Sequence, residues 1–211
     1  MSDKRPVKDE YNWADYTREY SAQAEEVAAS PHQGNDALVK LSYAAPEGIV
    51  YKDNLHGNWK HVYSTIHRLK PASVFECGCG GMHHLYNIKQ LMPGVQVHGC
   101  DLLQSQIDWG NKFWSIPPHI RNNVKAVNLA KANAHKEVDK YDFVYSQAVV
   151  MHLSHENALK FVKNMVEMSN KYVYLCEGPQ HDYIELMEMI GELDNFEMER
   201  IASNSWLFTK T

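Results

Sequence analysis

Apolar positions along this chain follow two rhythms. Up to about residue 70 they recur at steps of three and four. Trp13, Tyr16, Tyr20, Ala24 and Val27 form one stripe, with Glu25 and Glu26 beside it, and Trp59, Val62, Tyr63 and Ile66 form a second. Such spacing keeps returning to one face of a 3.6-residue helix, so it predicts an N-terminal helix and another over 58–69 that Pro71 closes. Between the two, residues 30–57 carry Pro31, Gly34, Pro46 and Gly48 and read as loop and short turns.

From residue 73 onward, short apolar runs alternate with helical stripes. Strands are expected over 73–77, 95–100, 124–128, 141–146 and 172–176. Helices are expected over 81–92, about 103–114, from the Ser154 cap onward, and over 182–193. The last two runs, 196–201 and 206–209, flank Ala202-Ser203-Asn204-Ser205 and read as a hairpin. Alternating strand and helix units imply a parallel sheet covered by helices on both faces. The expected fold is therefore α/β: a doubly wound, Rossmann-like, mostly parallel seven-stranded sheet with an antiparallel C-terminal hairpin strand, plus N-terminal helices. Residues 1–57 are expected to be an extension of the same domain, placed to act as a substrate lid, and 58–211 to be the main domain.

Composition narrows the setting. The chain has 211 residues, 44% of them hydrophobic, enough for a full core in one domain. A net charge of −5 gives no reason to expect nucleic acid as a partner, because phosphate neutralisation needs clustered Lys and Arg. The nearest cluster, Lys60, His61, His67, Arg68 and Lys70, falls on the helix over 58–69 as a solvated face. The first ten residues lack the apolar core of a signal peptide, and no run approaches about 20 apolar residues, so no membrane partner is expected. Four cysteines do not make a disulfide scaffold, and a reduced, cytoplasmic protein is expected.

The chemistry concentrates at strand ends. Val74-Phe75-Glu76-Cys77-Gly78-Cys79-Gly80-Gly81 runs an apolar strand into a glycine-rich turn, where backbone can approach a ligand closely. Asp101 ends the next strand, placed to accept hydrogen bonds from a ribose diol. Ser146 ends the fourth, ahead of Gln147-Ala148-Val149-Val150-Met151-His152-Leu153. In a doubly wound sheet these ends converge on one crevice, which suits a cofactor containing a nucleoside. Taken singly, Glu76 and Asp101 also suit helix capping. Cys77, Cys79, His83 and His84 do not establish a metal site, because a two-residue step in a turn fixes no tetrahedral geometry.

Val-Phe-Glu-Cys-Gly-Cys-Gly resembles the first motif of class I S-adenosylmethionine-dependent methyltransferases, and His-Gly-Cys-Asp-Leu at 98–102 resembles their second. Tyr-Asp-Phe-Val-Tyr-Ser with Val-Val-Met-His-Leu is similar to their fourth strand and following loop, and the terminal hairpin matches their last strand. The resemblance spans about 58–211 and implies S-adenosyl-L-methionine as cofactor. It implies cofactor contacts from Glu76, Cys77, Gly78, Gly80, Asp101, Leu102, Asn133, Ala134 and Ser146, with Glu76 serving the methionine amino group and Asp101 the ribose. Two positions depart from the family pattern: Met82 stands where a third glycine is usual, and Asn133 where an acid is usual.

Methyl transfer to an aliphatic hydroxyl needs a general base, whereas a neutral amine or a thiolate needs positioning. His152 is the candidate base, the alternative being a histidine bonded to backbone; Glu177 and His181 are further candidates for substrate contact. Tyr11, Trp13, Tyr16 and Trp59 either cover the pocket or pack among helices. The fourth strand lacks the Asn/Asp-Pro-Pro-aromatic pattern of base-amine methylases and the acids of magnesium-dependent catechol methyltransferases. The expected activity is metal-independent methyl transfer to an O or N atom of a small molecule. A non-catalytic S-adenosylmethionine-binding protein and an NAD-dependent oxidoreductase stay open, though the dinucleotide fingerprint needs glycine where His83 stands.

Overall fold

A computed structural model describes residues 37–211 together with Asp15, Arg18, Glu19 and Ala22, which are helical. The apolar stripe over 13–27 and the covering role considered for Tyr11, Trp13 and Tyr16 lie outside the described residues. Within 30–57, where loop was expected, two short strands pair as an antiparallel hairpin, β1 (Tyr43–Ala45) and β2 (Gly48–Val50). Pro46 and Gly48 mark its turn. Asp53 holds the segment before it, its carboxylate accepting the backbone N–H groups of Lys40, Leu41 and Ser42.

The elements that follow are α1 (Gly57–Leu69), β3 (Ser73–Cys77), α2 (His83–Leu91), β4 (Gln96–Asp101), α3 (Gln104–Trp114), α4 (Pro118–Arg121) and β5 (Val124–Ala126). After a 3-10 turn come β6 (Tyr141–Gln147), a second 3-10 turn over Val150–His152, α5 (His155–Met168), β7 (Ser169–Cys176), α6 (Tyr183–Met189), β8 (Phe196–Ala202) and β9 (Ser205–Lys210). α4 was not anticipated, although Pro118 is favoured in a first helical turn. α6 ends sooner than expected, since Gly191 turns the chain with φ 75°.

Seven strands pair in the order β5-β4-β3-β6-β7-β9-β8. All are parallel except β9, which lies antiparallel between β7 and β8. The expected doubly wound sheet with its antiparallel C-terminal hairpin strand is thus the fold observed. Alternation along the strands divides two cores. Phe75, Val144, Val173 and Leu175 pack with Phe161, Val162 and Met165 of α5. Val74, Phe143, Tyr145 and Tyr174 pack with Val62 and Ile66 of α1 and Leu85 and Ile88 of α2. Because both faces are covered, the central strands read as unbroken apolar runs. The order reverses between β3 and β6, and their carboxyl ends open a crevice there.

Candidate functional site

A cavity of about 270 Å³ occupies that crevice. Its floor is the turn after β3, where the N–H groups of Gly78 and Cys79 both donate to the Cys100 carbonyl at 2.8 and 2.9 Å. Gly78 has φ 81°, and a Cβ there would sit 2.5 Å from Val149 Cγ2. Only glycine fits, because the loop after β6 closes directly over this position. At Met82, in place of the family's third glycine, φ is 64° and the side chain is fully buried.

Glu76 projects from β3 into the cavity and is 2% exposed. Its Oε2 and the neighbouring Tyr145 hydroxyl are both buried without a hydrogen-bond partner of sound geometry. Burial pushes the Glu76 carboxyl up to about 8, with the Asp101 charge adding to the rise. Asp101 closes β4 and pins the glycine turn, accepting from Gly80 N–H at 2.8 Å through Oδ2 and from Leu103 N–H at 2.9 Å through Oδ1. Burial raises its pKa, and these backbone donors work against the rise. Each oxygen keeps a lone pair for a ligand hydroxyl.

Glu76, Gly78, Gly80, Asp101 and Leu102 therefore line one cavity, with Leu102 43% exposed at its mouth. Cys77, Asn133, Ala134, Ser146 and His152 do not line it. Cys77 is packed in the core against the opposite helical layer. Past β5 the wall is made instead by Val127, Asn128, Leu129 and Ala130. Asn128 folds back to accept Ala130 N–H at 3.0 Å, and Asn164 of α5 holds the Leu129 and Lys131 carbonyls at 2.8 Å each. These contacts leave Asn133 exposed beyond the wall and Ala134 in the core.

Ser146 is fully buried and donates to Glu177 Oε1 at 2.6 Å. The other Glu177 oxygen accepts from Val149 N–H at 2.9 Å and Met151 N–H at 3.3 Å. Burial pushes Glu177 up to about 7. Both residues thus brace the loop after β6, and Glu177 does not line this cavity. The braced loop presents Gln147, Ala148 and Val149 to the cavity, with Ala148 at φ 55° and Gln147 Oε1 buried without a partner. His152 is half-buried at the end of the 3-10 turn, burial lowering its pKa. His181 Nε2 pairs with the Leu153 carbonyl at 3.0 Å and does not line the cavity.

Residues that the motifs did not flag complete the far end. The His83 and His84 rings lie 4.0 Å apart between centroids, tilted by 41°, Trp59 lies 5.2 Å from His83, and Gln106 reaches in from α3. The one signal for His83 and His84 was adjacency to the glycine turn; Trp59, weighed in the sequence as a pocket cover, does line the cavity, and Gln106 carried no signal. All four cysteines are buried free thiols. Among the described residues no helix is long and apolar enough to cross a membrane.

Fold and crevice define the class: this is the class I fold of S-adenosylmethionine-dependent methyltransferases. The family model described as tellurite resistance protein TehB matches residues 47–176, and the chain belongs to that family. Among solved structures, a TehB-like SAM-dependent methyltransferase from Corynebacterium glutamicum is 15% identical, covering 94% of this chain and 100% of its own, with a TM-score of 0.57. The magnesium protoporphyrin IX methyltransferase of Synechocystis, with bound SAM, is 16% identical over 72% of this chain and 78% of its own, TM-score 0.58. TehB from Haemophilus influenzae is 21% identical over 75% and 63%, TM-score 0.53. A second structure of the Synechocystis enzyme holds SAH. No curated protein matches the chain.

Proposed function

We propose that this protein transfers a methyl group from S-adenosyl-L-methionine to an O or N atom of a small-molecule acceptor, without a metal ion. One observation carries the cofactor reading. Glu76 Oε2, which has no well-formed hydrogen bond even from the neighbouring Tyr145 hydroxyl, and Gln147 Oε1, buried without a partner, belong to residues that line the same cavity whose glycine-rich floor Asp101 pins. A ligand ammonium answers the first two, and a ribose diol answers the lone pairs of Asp101. Val127–Ala130 and Leu102 would flank the base. S-adenosylmethionine supplies an activated methyl group at such a site.

The chain's own part is binding, orientation and exclusion of water. Gly78 lets backbone lie against the ligand, and the Glu177 brace fixes the acceptor side. That side offers Gln147, Ala148, Val149, Leu153 and Phe161, none of them ionisable. This favours an acceptor bringing its own lone pair, such as a neutral amine or an already ionised oxygen, for which positioning can suffice. The family's description, tellurite resistance, puts inorganic oxyanions among the acceptors worth assaying beside amines and alcohols.

Thermal unfolding with S-adenosylhomocysteine tests the cofactor. Saturation at a hundred times Kd stabilises the native state by about 2.7 kcal/mol. No shift, together with no calorimetric binding, sinks the reading; a shift with NAD alone selects an oxidoreductase. Labelled S-adenosylmethionine and fractionated metabolite pools then report the acceptor, and binding without label transfer indicates a non-catalytic protein.

A further inference from the structure

α2 begins at the cavity wall with its first turn uncapped. Its N-cap, Met82, makes no side-chain hydrogen bond, and no acidic residue stands in the first turn of its nine residues. The first amides of a helix have no intrahelical acceptor and carry the positive end of the helix dipole. In the same turn stands His83, 7% exposed, with neither Nδ1 nor Nε2 partnered. A neutral imidazole brings one N–H donor and one acceptor. His84 is committed elsewhere: its Nδ1 pairs with the Tyr63 hydroxyl at 2.7 Å, which also accepts from Asn87 Nδ2 at 3.0 Å. That network fixes His84, against which the His83 ring packs at a tilt of 41°, while Trp59 packs against both rings.

Two observations of different kinds thus point to an anion, a helix N-terminus and a buried histidine with unanswered nitrogens, both on one cavity wall. The charge balance narrows its kind. The Asp101 carboxylate lines the same cavity, and an anion there would further oppose ionisation of Glu76, so a multiply charged anion is disfavoured. A zwitterion is not, because its ammonium answers Glu76 while its single negative charge answers the imidazole and the helix amides.

We propose that His83 and the N-terminus of α2 form a carboxylate-binding subsite that holds the carboxylate of the amino-acid tail of S-adenosylmethionine. The proposal rests on the cofactor reading above and adds the partner of the tail's other charge. Burial keeps the His83 ring neutral, down at about 4, so it donates to the carboxylate as an uncharged N–H.

Titration calorimetry of the intact chain with S-adenosylhomocysteine and its decarboxylated analogue is the test. The two ligands differ only in the carboxylate. The wild type is expected to bind S-adenosylhomocysteine at least roughly tenfold more tightly, the range for a hydrogen bond to a charged group. His83→Phe is expected to abolish most of that difference while leaving the analogue's affinity unchanged, and His83→Asn, which retains a donor, to restore part of it. Equal wild-type affinity for both ligands overturns the subsite while the cofactor reading stands. Loss of affinity by the same factor for both ligands in His83→Phe also overturns it, as expected if the ring only packs the cavity wall, and unchanged affinity for both overturns it too, as expected if an anionic acceptor, not the cofactor tail, uses this end. If the wild type binds neither ligand, the cofactor reading fails and the subsite with it. The wild-type comparison can overturn the subsite even if a variant does not fold, and His83→Asn, closer in size to the native side chain, then localises it.

Discussion

Glu76 sets a proton balance that binding must change. Burial holds its carboxyl up at about 8. At pH 7 a group with that pKa is about nine-tenths protonated, so the free protein carries roughly 0.9 of a proton there. An ammonium placed against Oε2 favours the charged carboxylate and expels that proton. Binding S-adenosylhomocysteine at pH 7 is therefore expected to release close to one proton per site, about 0.9. Release linked to binding means that affinity rises with pH. At pH 7, one unit below the pKa, ionisation costs about 1.4 kcal/mol, and the gain levels off as pH passes about 8. Calorimetric titration at pH 7 in buffers of different ionisation enthalpy reads the release as the slope of apparent enthalpy against buffer enthalpy. Glu76→Gln has no proton to give, so the difference between wild type and variant isolates the Glu76 share. Equal slopes in the two proteins refute the placement of an ammonium at Glu76.

Burial also raises Glu177, from an ordinary 4.5 to about 7, so its contribution to stability is full below pH 4.5 and lost as pH climbs through 7. At about 1.4 kcal/mol per pKa unit, wild type should lose up to about 3 kcal/mol more than Glu177→Gln between pH 4.5 and 8 in urea denaturation; parallel pH profiles would contradict this. Gly78→Ala places a Cβ against Val149 and strains φ, and should cost about 1–3 kcal/mol of stability; an unchanged urea midpoint would mean that the loop after β6 gives way freely. Asp101→Ala strips the acceptor from Gly80 and Leu103 and should weaken S-adenosylhomocysteine binding by about 1–3 kcal/mol, read calorimetrically with circular dichroism confirming the fold. His152→Ala should leave cofactor affinity and turnover largely intact, since the side chain does not line the cavity; turnover lost with binding kept would restore His152 as the base.

Legibility followed the range of the forces involved. β3, β4, β6 and β7 were plain in the sequence because both faces of a central parallel strand are buried, leaving apolar runs such as 141–146 that punctuation delimits. α1 and α5 were equally plain, each showing one apolar stripe. The hairpin at 43–50 was missed because its three-residue strands, exposed or half-buried, carry no alternation. Its neighbouring chain is held by Asp53 and by Asn87, which accepts Val39 N–H at 2.8 Å and donates to the Ala37 carbonyl at 2.9 Å. The Asp53 contacts reach 11 to 13 residues back and those of Asn87 48 to 50, beyond the span of any helical or strand repeat, so no local pattern announces them.

The site divides along the same line. Glu76, Gly78, Gly80 and Asp101 are set by strand ends and a tight turn, so reading strands located them. The loops past β5 and β6 are set from across the fold, by Asn164 of α5 and by Glu177 past the end of β7, so motif order alone could not say which residues reach the cavity. Met82 shows why motif letters and motif physics must be kept apart. A missing third glycine suggests a weakened turn, yet the backbone there is still left-handed, with φ 64°. A left-handed residue costs about 1–2 kcal/mol, and burying a methionine side chain returns about 1.5–3 kcal/mol. What the turn requires is the backbone conformation. Glycine reaches it without a side chain to place, and methionine reaches it here because its side chain is buried in the core between α2 and the sheet.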